Sequence, residues 1–507
     1  MRPAAVIVLS AGKGTRMKSR IPKALHTLGG RSLVGHAVRT ARGIEPERLA
    51  VVVGHGRDQV IEHLAAIDPD VEPVVQSEQL GSGHATRVAL EQLGALAGTV
   101  VVMVGDAPLL TEDTLRSLLA EHARTESSAT ALTAVVEDPT GFGRMLRTPD
   151  GRIAGIVEHR DATEQQQAIT EINTGILAFD AAALVDALGK VNRDNDQGEE
   201  YLTDVLAIMH EAGLGTAGSV AADPTEVLGV NDRVQLAQLG RLLNQRILRT
   251  WMTAGVTVVD PETTWVADTV SLSTDVMLHP NTQLAGDTQV AEGATIGPDS
   301  TLTDCKVGAD AALVRVHAEG AEIGPRVQVG PYAYLRPGTV LAERAKVGTF
   351  VETKQARIGE GSKVPHLTYV GDATLGRDVN IGAGTIFANY DGVEKHHTEI
   401  GDAVFVGSDS VLVAPRRLAD GSYVAAGSAV TLDVGPGELG VARGRQRNIA
   451  GWVQRKRSGT ATARAAETAE PSEATESTES TEATEPTEVA ESTMAVDDPV
   501  GPTGQTE

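Results

Sequence analysis

Two patterns of hydrophobic residues divide the chain. Residues 1–230 alternate short β-rich runs, such as Val6–Leu9, with longer amphipathic stretches. That alternation predicts a Rossmann-like α/β domain with a largely parallel sheet. From Asn231 to Trp251 the apolar residues recur at helical spacing, which predicts an amphipathic helix. We therefore expect residues 231–255 to form a helix that links two domains.

Behind this helix, apolar residues recur at every sixth position. One run without a slip extends from Ile323 to Val347, and a second extends from Ile400 to Val430. A hexapeptide period is one flat face of a triangular β-coil, whose inward aliphatic residues stack from coil to coil. An antiparallel β domain with glycine-rich turns is the alternative, and two uninterrupted runs disfavour it. The pattern predicts a parallel β-helix within residues 256–457.

Residues 458–507 differ in composition from everything before them. Glutamate recurs at every third position from Glu467 to Glu491, among Thr, Ser, Ala and Pro. Such a segment has too little apolar surface to form a core, so we predict a disordered acidic tail. It supplies about half of the net charge of −24. The remainder is mildly acidic, which argues against nucleic acid as a partner and permits anionic small-molecule substrates.

Features of secreted and membrane proteins are missing from the sequence. Cys305 is the single cysteine, so no disulfide can form within the chain. The apolar run Val6–Leu9 is too short for a signal peptide, and no stretch reaches the roughly 18 apolar residues of a membrane span. The sequence predicts a cytoplasmic protein without a membrane span.

A glycine-rich loop follows the first predicted strand, in the sequence Leu-Ser-Ala-Gly-Lys-Gly-Thr-Arg-Met over residues 9–17. Such a turn lets backbone N–H groups approach a pyrophosphate, although by itself it is equally typical of a tight strand–helix turn. Arg16 and Lys23 add two cations, as a triphosphate with a departing pyrophosphate requires. Asp106 and Asn231 offer the oxygen ligands that Mg²⁺ prefers.

This loop, with Pro22-Lys23, resembles the signature of sugar-phosphate nucleotidylyltransferases. Segments 76–83, 104–109 and 171–175 resemble that family's base-recognition loop, metal-bearing turn and sugar-binding segment, in the same order. The resemblance implies that a sugar phosphate attacks the α-phosphorus of a nucleoside triphosphate. It gives Arg16 and Lys23 catalytic roles and makes Asp106 and Asn231 the ligands of the metal. The nucleotide and sugar contacts that it implies are Leu9, Ser10, Ala11, Gly12, Lys23, Gln76, Gly81, Ser82, Gly105, Gly143, Glu158, Asn173 and Asn231.

Two places in the β-helix are expected to break its six-residue period. One is the segment 363–369, which contains His366, and the other is a polar loop from Asn389 to about Thr398. Interruptions of solenoids usually mark the binding face. A lone histidine is more often a surface residue than a base. Here, however, Arg336 and Lys354 could hold a sugar phosphate, and Tyr369 and Asn380 could bind sugar hydroxyls. Imidazole can take the proton from an amine at neutral pH, as acyl transfer to nitrogen requires.

Taken together, residues 1–455 resemble the bacterial bifunctional N-acetylglucosamine-1-phosphate uridylyltransferase / glucosamine-1-phosphate N-acetyltransferase family. The resemblance implies a left-handed β-helix, acetyl transfer from acetyl-CoA to glucosamine 1-phosphate, and Mg²⁺-dependent uridylyl transfer from UTP. The product, UDP-N-acetylglucosamine, supplies peptidoglycan, lipid A and other envelope precursors. His366 would be the acetyl-transfer base. Glucosamine 1-phosphate would contact Arg336, Lys354, Tyr369 and Asn380, and acetyl-CoA would contact Ala383, Asn389, Tyr390, Ser408, Ala426 and Arg443.

The same resemblance implies a homotrimer along the β-helix, with acetyl-transfer sites between subunits. The basic stretch 445–457, with Trp452, is then either a solvated surface segment, which we favour, or a clamp over a neighbouring subunit's CoA. Two other functions are compatible with the α/β alternation and the six-residue period of the chain. A single-activity nucleotidylyltransferase with an inert β-helix leaves His366 and the Asn389 loop unexplained. A structural or adhesive solenoid leaves Arg16, Lys23 and Asp106 unexplained.

Overall fold

The computed structural model describes residues 2–195 and 198–469. These residues belong to two compact units, a first that ends at Arg443 and a second that begins at Gly444. The first unit contains an α/β region, a long helix and a β-helix. Within the described residues, no helix is long and apolar enough to cross a membrane.

The α/β region is built on one mostly parallel sheet in the strand order β11-β7-β10-β6-β1-β4-β5, with β8 and β9 at the side of β10. Its strands are β1 Ala5–Ser10, β2 Thr27–Leu28, β3 Arg31–Ser32, β4 Arg48–Val53, β5 Glu72–Val75, β6 Thr99–Val104, β7 Ala129–Val135, β8 Arg144–Arg147, β9 Ile153–Val157, β10 Glu171–Asp180 and β11 Thr216–Val220. Its helices are α1 Leu33–Gly43, α2 Arg57–Ile67, α3 Ser82–Leu93, α4 Glu112–Thr125, α5 Glu164–Gln167, α6 Ala181–Leu188 and α7 Asp204–Glu211.

Helices cover both faces of this sheet, because its central strands are apolar on both sides. In β6, Val100 and Val102 face one buried cluster, and Val101 and Met103 face another. Continuous burial of this kind is typical of parallel strands between two helical layers. The predicted α/β fold with a largely parallel sheet is therefore confirmed. Its antiparallel part consists of β10, which is antiparallel to β6, β7 and β8, and of the β8–β9 pair.

The predicted linking helix is α8, Arg233–Thr253. It begins after Asp232, whose side chain accepts a hydrogen bond from the Gln235 N–H as an N-cap. The buried side chains Leu239 and Leu243 lie four positions apart and pack into one small cluster, whereas Leu248, on the other side of the helix, belongs to the core of the β-helix.

The β-helix consists of an 11-stranded and a 17-stranded parallel sheet in the described part of the chain, which confirms the predicted fold. Paired strands mostly lie 17 or 18 residues apart, as in Gln283↔Thr301 and Lys346↔Lys363. A coil of 18 residues contains three hexads, and a coil of 17 contains two hexads and a pentad. The core is a continuous column of small aliphatic side chains, as expected for a solenoid.

The strands of the β-helix are short. In chain order they are Thr257–Val258, Trp265–Val266, Ser271–Leu272, Met277–Leu278, Gln283–Ala285, Gln289–Val290, Thr295–Ile296, Thr301–Thr303, Lys306–Val307, Ala312–Leu313, Val316–Glu319, Glu322–Ile323, Gln328–Val329, Ala333–Leu335, Val340–Leu341, Lys346–Thr349, Glu352–Ile358, Lys363–His366, Tyr369–Leu375, Asn380–Ile381, Ile386–Ala388, Thr398–Ile400, Phe405–Val406, Val411–Val413, Arg416–Leu418, Tyr423–Val424, Ala429–Val430 and Leu439–Gly440.

One of the two predicted interruptions is real. Across residues 389–397 the spacing of paired residues rises to 25, as in Ala373↔Thr398, so this loop is an insertion. The segment that contains His366 is not one, because Thr349 pairs with His366 at the ordinary spacing of 17. That prediction was wrong, since the inward position is filled by Val364 and the histidine simply occupies an exposed outward position.

The second unit contains α9, Trp452–Lys456, and α10, Ala461–Thr468. The prediction of disorder from residue 458 was wrong for α10. Its sequence is rich in alanine, a strong helix former, and the Thr460 side chain accepts a hydrogen bond from the Ala463 N–H at the N-terminus. The rest of the predicted tail, residues 470–507, lies outside the described residues.

Candidate functional sites

The residues of the predicted nucleotide site meet at one edge of the α/β sheet. Strands β1, β4, β5 and β6 run parallel, so their carboxyl ends share an edge. The glycine-rich loop follows β1, Gln76 follows β5, and Gly105 and Asp106 follow β6. Because β10 is antiparallel to β6, its first residues reach the same edge and bring Asn173 there.

Close packing at this edge explains why Gly105 and Ala11 are small. The Gly105 N–H donates to the Leu9 carbonyl over 2.9 Å, and a Cβ on Gly105 would lie 3.0 Å from the Ser10 Cβ. Ala11 is buried, whereas Gly12 is exposed with open space beside its Cα. The loop therefore presents backbone at Gly12 to whatever binds in front of it.

Four polar side chains converge beside the loop. The Lys23 ammonium forms an ion pair with Asp106 and lies 3.2 Å from Asn231 Oδ1. An Arg16 guanidinium nitrogen donates to the same Asn231 oxygen over 2.9 Å. Two cations and two oxygen ligands, distant in the sequence, thus form one half-exposed cluster.

The oxygens of this cluster fit Mg²⁺. Mg²⁺ is usually held by one or two carboxylates together with substrate phosphates, and Asp106 and Asn231 offer one carboxylate and one amide oxygen. A positive group already lies between these two oxygens, namely the Lys23 ammonium. In the described residues there is no group of three or more His, Cys, Asp or Glu side chains that could hold a metal without a substrate.

The predicted base-recognition residues are held by one another and by a distant segment. Buried Gln76 donates from Nε2 to the Gly81 carbonyl over 3.2 Å and to His84 Nδ1 over 2.9 Å. The Ser82 hydroxyl accepts a hydrogen bond from the Leu202 N–H over 3.0 Å. Gly81 has a φ of 108°, and a Cβ there would lie 2.4 Å from the Glu200 carbonyl oxygen.

Glu200 is a structural residue that the sequence reasoning missed. Its carboxylate accepts hydrogen bonds from Arg87 and Arg193, and its backbone carbonyl accepts the Gly83 N–H over 2.8 Å. Burial alone would raise the pKa of Glu200, but the two arginines hold it below its usual value. No local motif marks this residue, because Arg87 lies 113 positions away.

One of the predicted sugar-side residues, Glu158, lines a cavity of about 580 Å³ together with Arg16, Gly141, His159, Arg160, Asp161 and Tyr201. Burial, with smaller contributions from Asp161 and Asp204, raises the pKa of Glu158. A Cβ on Gly143 would lie 2.9 Å from the Ile156 side chain and 3.4 Å from a Glu158 oxygen, so only glycine fits there. Asn173 donates its N–H to the Gly143 carbonyl over 2.9 Å.

In the β-helix, four predicted residues lie in one column along a corner. Thr349 pairs with His366, and the Gly384 N–H donates to the His366 carbonyl over 3.3 Å. One coil further, the Asp409 N–H donates to the Ala383 carbonyl over 2.7 Å, and then the Gly427 N–H donates to the Ser408 carbonyl over 2.8 Å. His366, Ala383, Ser408 and Ala426 therefore occupy equivalent positions on successive coils. Three small side chains follow an exposed imidazole on successive coils, so little side-chain bulk stands along this corner.

A second polar cluster lies on the adjacent face. The Arg336 guanidinium donates to Glu352 over 2.9 Å, and Glu352 pairs in the sheet with Tyr369. Lys354 Nζ lies 3.9 Å from Asp372 Oδ2. A neighbouring ammonium, that of Lys395, lowers the pKa of Lys354. Two ammonium groups held this close together are typical of a site for a multiply charged anion such as a phosphate.

Asn389 connects this cluster with the inserted loop. Its amide nitrogen donates to Asp372 and lies 3.4 Å from the Tyr369 hydroxyl. The backbone carbonyl of Asn389 accepts a hydrogen bond from the backbone N–H of His396 over 2.7 Å, which closes the loop. A hydrogen bond from His396, with two backbone N–H groups, holds the pKa of Asp391 well below its usual range.

Lys395, Glu352 and Asp372 were missed by the sequence reasoning. Their only signal was proximity to the break at Asn389 and to the predicted ligands in neighbouring coils. Among the predicted residues, Tyr390 is exposed, with its hydroxyl bonded to the Gly392 carbonyl over 2.6 Å. Asn380 lies on the strand that precedes Ala383, and Arg443 is exposed at the end of the first unit.

Comparison with known proteins agrees with both regions. A family model described as the MobA-like NTP transferase domain matches residues 6–223. The chain is 58% identical over 469 residues to the bifunctional protein GlmU of Streptomyces avermitilis, covering 92% of this chain and 97% of that protein. The chain belongs to the GlmU family. The GlmU protein of Streptomyces coelicolor is 57% identical with the same coverage. That of Corynebacterium aurimucosum is 53% identical over 91% of this chain and 96% of its own length.

Membership of the GlmU family covers nearly all of the described chain. Since the aligned length in the Streptomyces avermitilis relative is 469 residues, the shared part includes the α/β region, α8 and the β-helix. The chain is therefore an enzyme with uridylyltransferase and acetyltransferase activities that acts on small-molecule substrates.

Proposed function

We propose that the chain makes UDP-N-acetylglucosamine in two steps at two separate sites, with acetyl-CoA, UTP and Mg²⁺ as the co-substrates and metal. The β-helix acetylates glucosamine 1-phosphate, and the α/β region then transfers the uridylyl group of UTP to the product. The observation that carries the two-site assignment is the corner column, in which the candidate base His366 and three small residues occupy equivalent positions on successive coils.

The β-helix residues divide the acetyl transfer between them. Arg336, Lys354 and Lys395 bind the phosphate, and Tyr369 and Asn380 contact the sugar hydroxyls. His366 takes a proton from the 2-ammonium group, so that the amine nitrogen can attack the thioester carbonyl of acetyl-CoA. The C–N bond forms and the C–S bond breaks, the nitrogen gives its second proton to the departing sulfur, and CoA leaves as the thiol along the column of Ala383, Ser408 and Ala426.

The α/β residues position the phosphates in the second step. Gly12 and its neighbours offer backbone N–H groups to the triphosphate, and Arg16 and Lys23 stabilise the charge on the departing pyrophosphate. Asp106 and Asn231 hold Mg²⁺, which neutralises charge on the phosphates when it is bound. Gln76, Gly81 and Ser82 contact the base, and Gly143, Glu158 and Asn173 contact the acetylated sugar.

We further propose that the working form is a cytoplasmic trimer. UTP and acetyl-CoA are both cytoplasmic metabolites, and the residues of the corner column are largely exposed in a single chain. Exposed aromatic side chains at the same corner also favour assembly: the Tyr332 and Phe350 rings are stacked at 5.4 Å, yet 56% and 58% of these residues is exposed. A molar mass of one chain in solution, measured by light scattering, would contradict the trimer.

The test supplies glucosamine 1-phosphate, acetyl-CoA, UTP and Mg²⁺ and follows the products by mass spectrometry. The unaltered chain should yield UDP-N-acetylglucosamine. His366→Ala should lose acetyl transfer by about 10²-fold or more but still use N-acetylglucosamine 1-phosphate, whereas Asp106→Ala should accumulate that intermediate. His317→Ala, which removes another exposed β-helix histidine, serves as the control. UDP-glucosamine as the sole product, or loss of both activities in either folded variant, would contradict the two-site assignment.

A further inference from the structure

Helix α8 contacts three separate segments of the nucleotide site. Arg233 Nε donates to the Met17 carbonyl at the end of the glycine-rich loop, over 3.1 Å. The Gln235 side chain accepts the Asn231 N–H over 2.7 Å. Arg246 donates to the Leu109 carbonyl over 2.7 Å, three residues beyond Asp106. The helix that links the two domains is therefore also the floor of the first site.

These segments share a small apolar core with the helix. Met17, Leu109 and Val230 form one buried cluster with Leu239 and Leu243 of α8. The Val230 N–H also donates to the Asp106 carbonyl over 2.9 Å. A shift of α8 would consequently reach the loop and both oxygen ligands together.

Arg246 lines a hollow behind the turn that carries Asp106. A cavity of about 460 Å³ lies there, lined by His36, Arg39, Thr40, Pro108, Leu109, Leu110, Thr111, Glu112, Leu243, Arg246, Ile247, Thr250, Trp251, Asp268 and Val270. Residues next to an open cavity can move into it, because packing does not hold them on that side. The Arg246 guanidinium, at the wall of this cavity, holds the Leu109 carbonyl, with Asp223 3.6 Å from its other nitrogen.

The β-helix fixes α8 from the opposite side. Buried Asn244 donates to the Thr264 carbonyl over 2.8 Å and accepts the Val266 N–H over 3.0 Å. Two residues along the helix from this double hydrogen bond, Arg246 faces the turn. The guanidinium is thus anchored to a rigid solenoid rather than to a free helix.

We propose that Arg246 is a positioning residue for uridylyl transfer, which holds the turn 106–109 so that the Asp106 carboxylate stays beside Asn231 and Lys23. The inference rests on the assignment of uridylyl transfer to the α/β region. Arg246 itself touches neither substrate nor metal. Its removal frees the Leu109 carbonyl and allows the turn to move toward the cavity.

The experiment compares the full-length Arg246→Met and Arg249→Met variants. Arg249 lies one turn further along α8 and is exposed, so Arg249→Met controls for loss of a charge on the same helix. In metal-free and substrate-free protein, Arg246→Met should speed amide hydrogen exchange within residues 105–111. It should also lower uridylyl transfer about tenfold or more and raise the Mg²⁺ concentration for half-maximal rate. Acetyl transfer should not change, and Arg246→Lys should restore part of the loss.

Equal exchange within 105–111 in the two methionine variants would overturn the proposal. So would faster exchange throughout the chain with an equal fall in both activities, since Arg246 would then only stabilise the fold. The hydrogen-exchange comparison does not depend on turnover. If the unaltered chain showed no uridylyl transfer, the proposed function would fail on that result alone, separately from the exchange measured at 105–111.

Discussion

Gly81→Ala should impair uridylyl transfer because of one backbone contact. Gly81 precedes helix α3 with φ 108° and ψ 176°, and a Cβ there would lie 2.4 Å from the Glu200 carbonyl oxygen and 2.9 Å from its nitrogen. Ordinary contacts begin near 3.4 Å, so the two segments must separate by about 1 Å. Both neighbours are backbone atoms, and no side-chain rotation can relieve the contact.

A displacement of about 1 Å at a substrate contact can lower the rate by about 10²-fold, or about 2.7 kcal/mol of transition-state stabilisation. We expect a loss of that order in kcat/KM for UTP. The matched control is Gly94→Ala at the other end of the same helix. Gly94 also has a backbone conformation that favours glycine, with φ 75° and ψ −158°, but has open space beside its Cα. Both substitutions therefore add backbone strain of about 1–3 kcal/mol, and only Gly81→Ala adds the clash.

Steady-state kinetics with UTP as the varied substrate, together with thermal unfolding, separate the two effects. Both variants should lose stability, Gly81→Ala by more because of its additional clash, and acetyl transfer should persist in each. The reasoning would be refuted if kcat/KM for UTP in Gly81→Ala stayed within about twofold of Gly94→Ala, because the approach of Glu200 would then be irrelevant to the site.

Two further predictions concern the corner column and the buried carboxyl. Ala426→Trp should add bulk to the corner column and raise the KM for acetyl-CoA about tenfold or more, a cost of about 1.4 kcal/mol in binding; an unchanged KM, equal to that of Ala429→Trp on an exposed strand position, would contradict binding along the column. Glu158→Gln should stabilise the chain at neutral pH. Burial raises the pKa of Glu158 above its usual 4.5, so between the unfolded and the folded pKa the folded protein binds more protons than the unfolded one. The stability of the unaltered chain therefore falls as the pH rises through that range. The unfolding temperatures of the two proteins should therefore diverge as the pH rises above about 4, and a constant difference would contradict the burial effect.

The fold was largely predictable because its signals are local. A six-residue period by itself predicts the coil of a β-helix, since each inward residue packs on its equivalent in the next coil and this contact does not depend on the rest of the chain. The antiparallel direction of β10 had no such signal, because its apolar residues look like those of β6 beside it. Helix α10 was missed because the predicted disordered tail included a short alanine-rich segment. Most of that segment precedes the glutamate repeat on which the prediction of disorder rests.

The sites were predictable only where a motif holds their residues. The glycine-rich loop pointed to Arg16 and Lys23, and the structure brings both to Asn231. Glu200 could not be found, because it acts through its backbone on Gly81 and Gly83, far away in the sequence. His366 was selected as a break in the period, which it is not. Its position in the corner column is a property of coil stacking, and this stacking is seen only when the register of the strands is known.

The double hydrogen bond of Asn244 has a consequence for assembly as well. The first coil of a parallel β-helix ends in an open edge, whose unpaired N–H and C=O groups invite another strand and hence fibre growth. Asn244 satisfies one carbonyl and one N–H of that edge, and Leu248 and Trp251 cover the apolar end of the core. Helix α8 is thus the terminal cap of the solenoid, and its loss should favour end-to-end polymerisation.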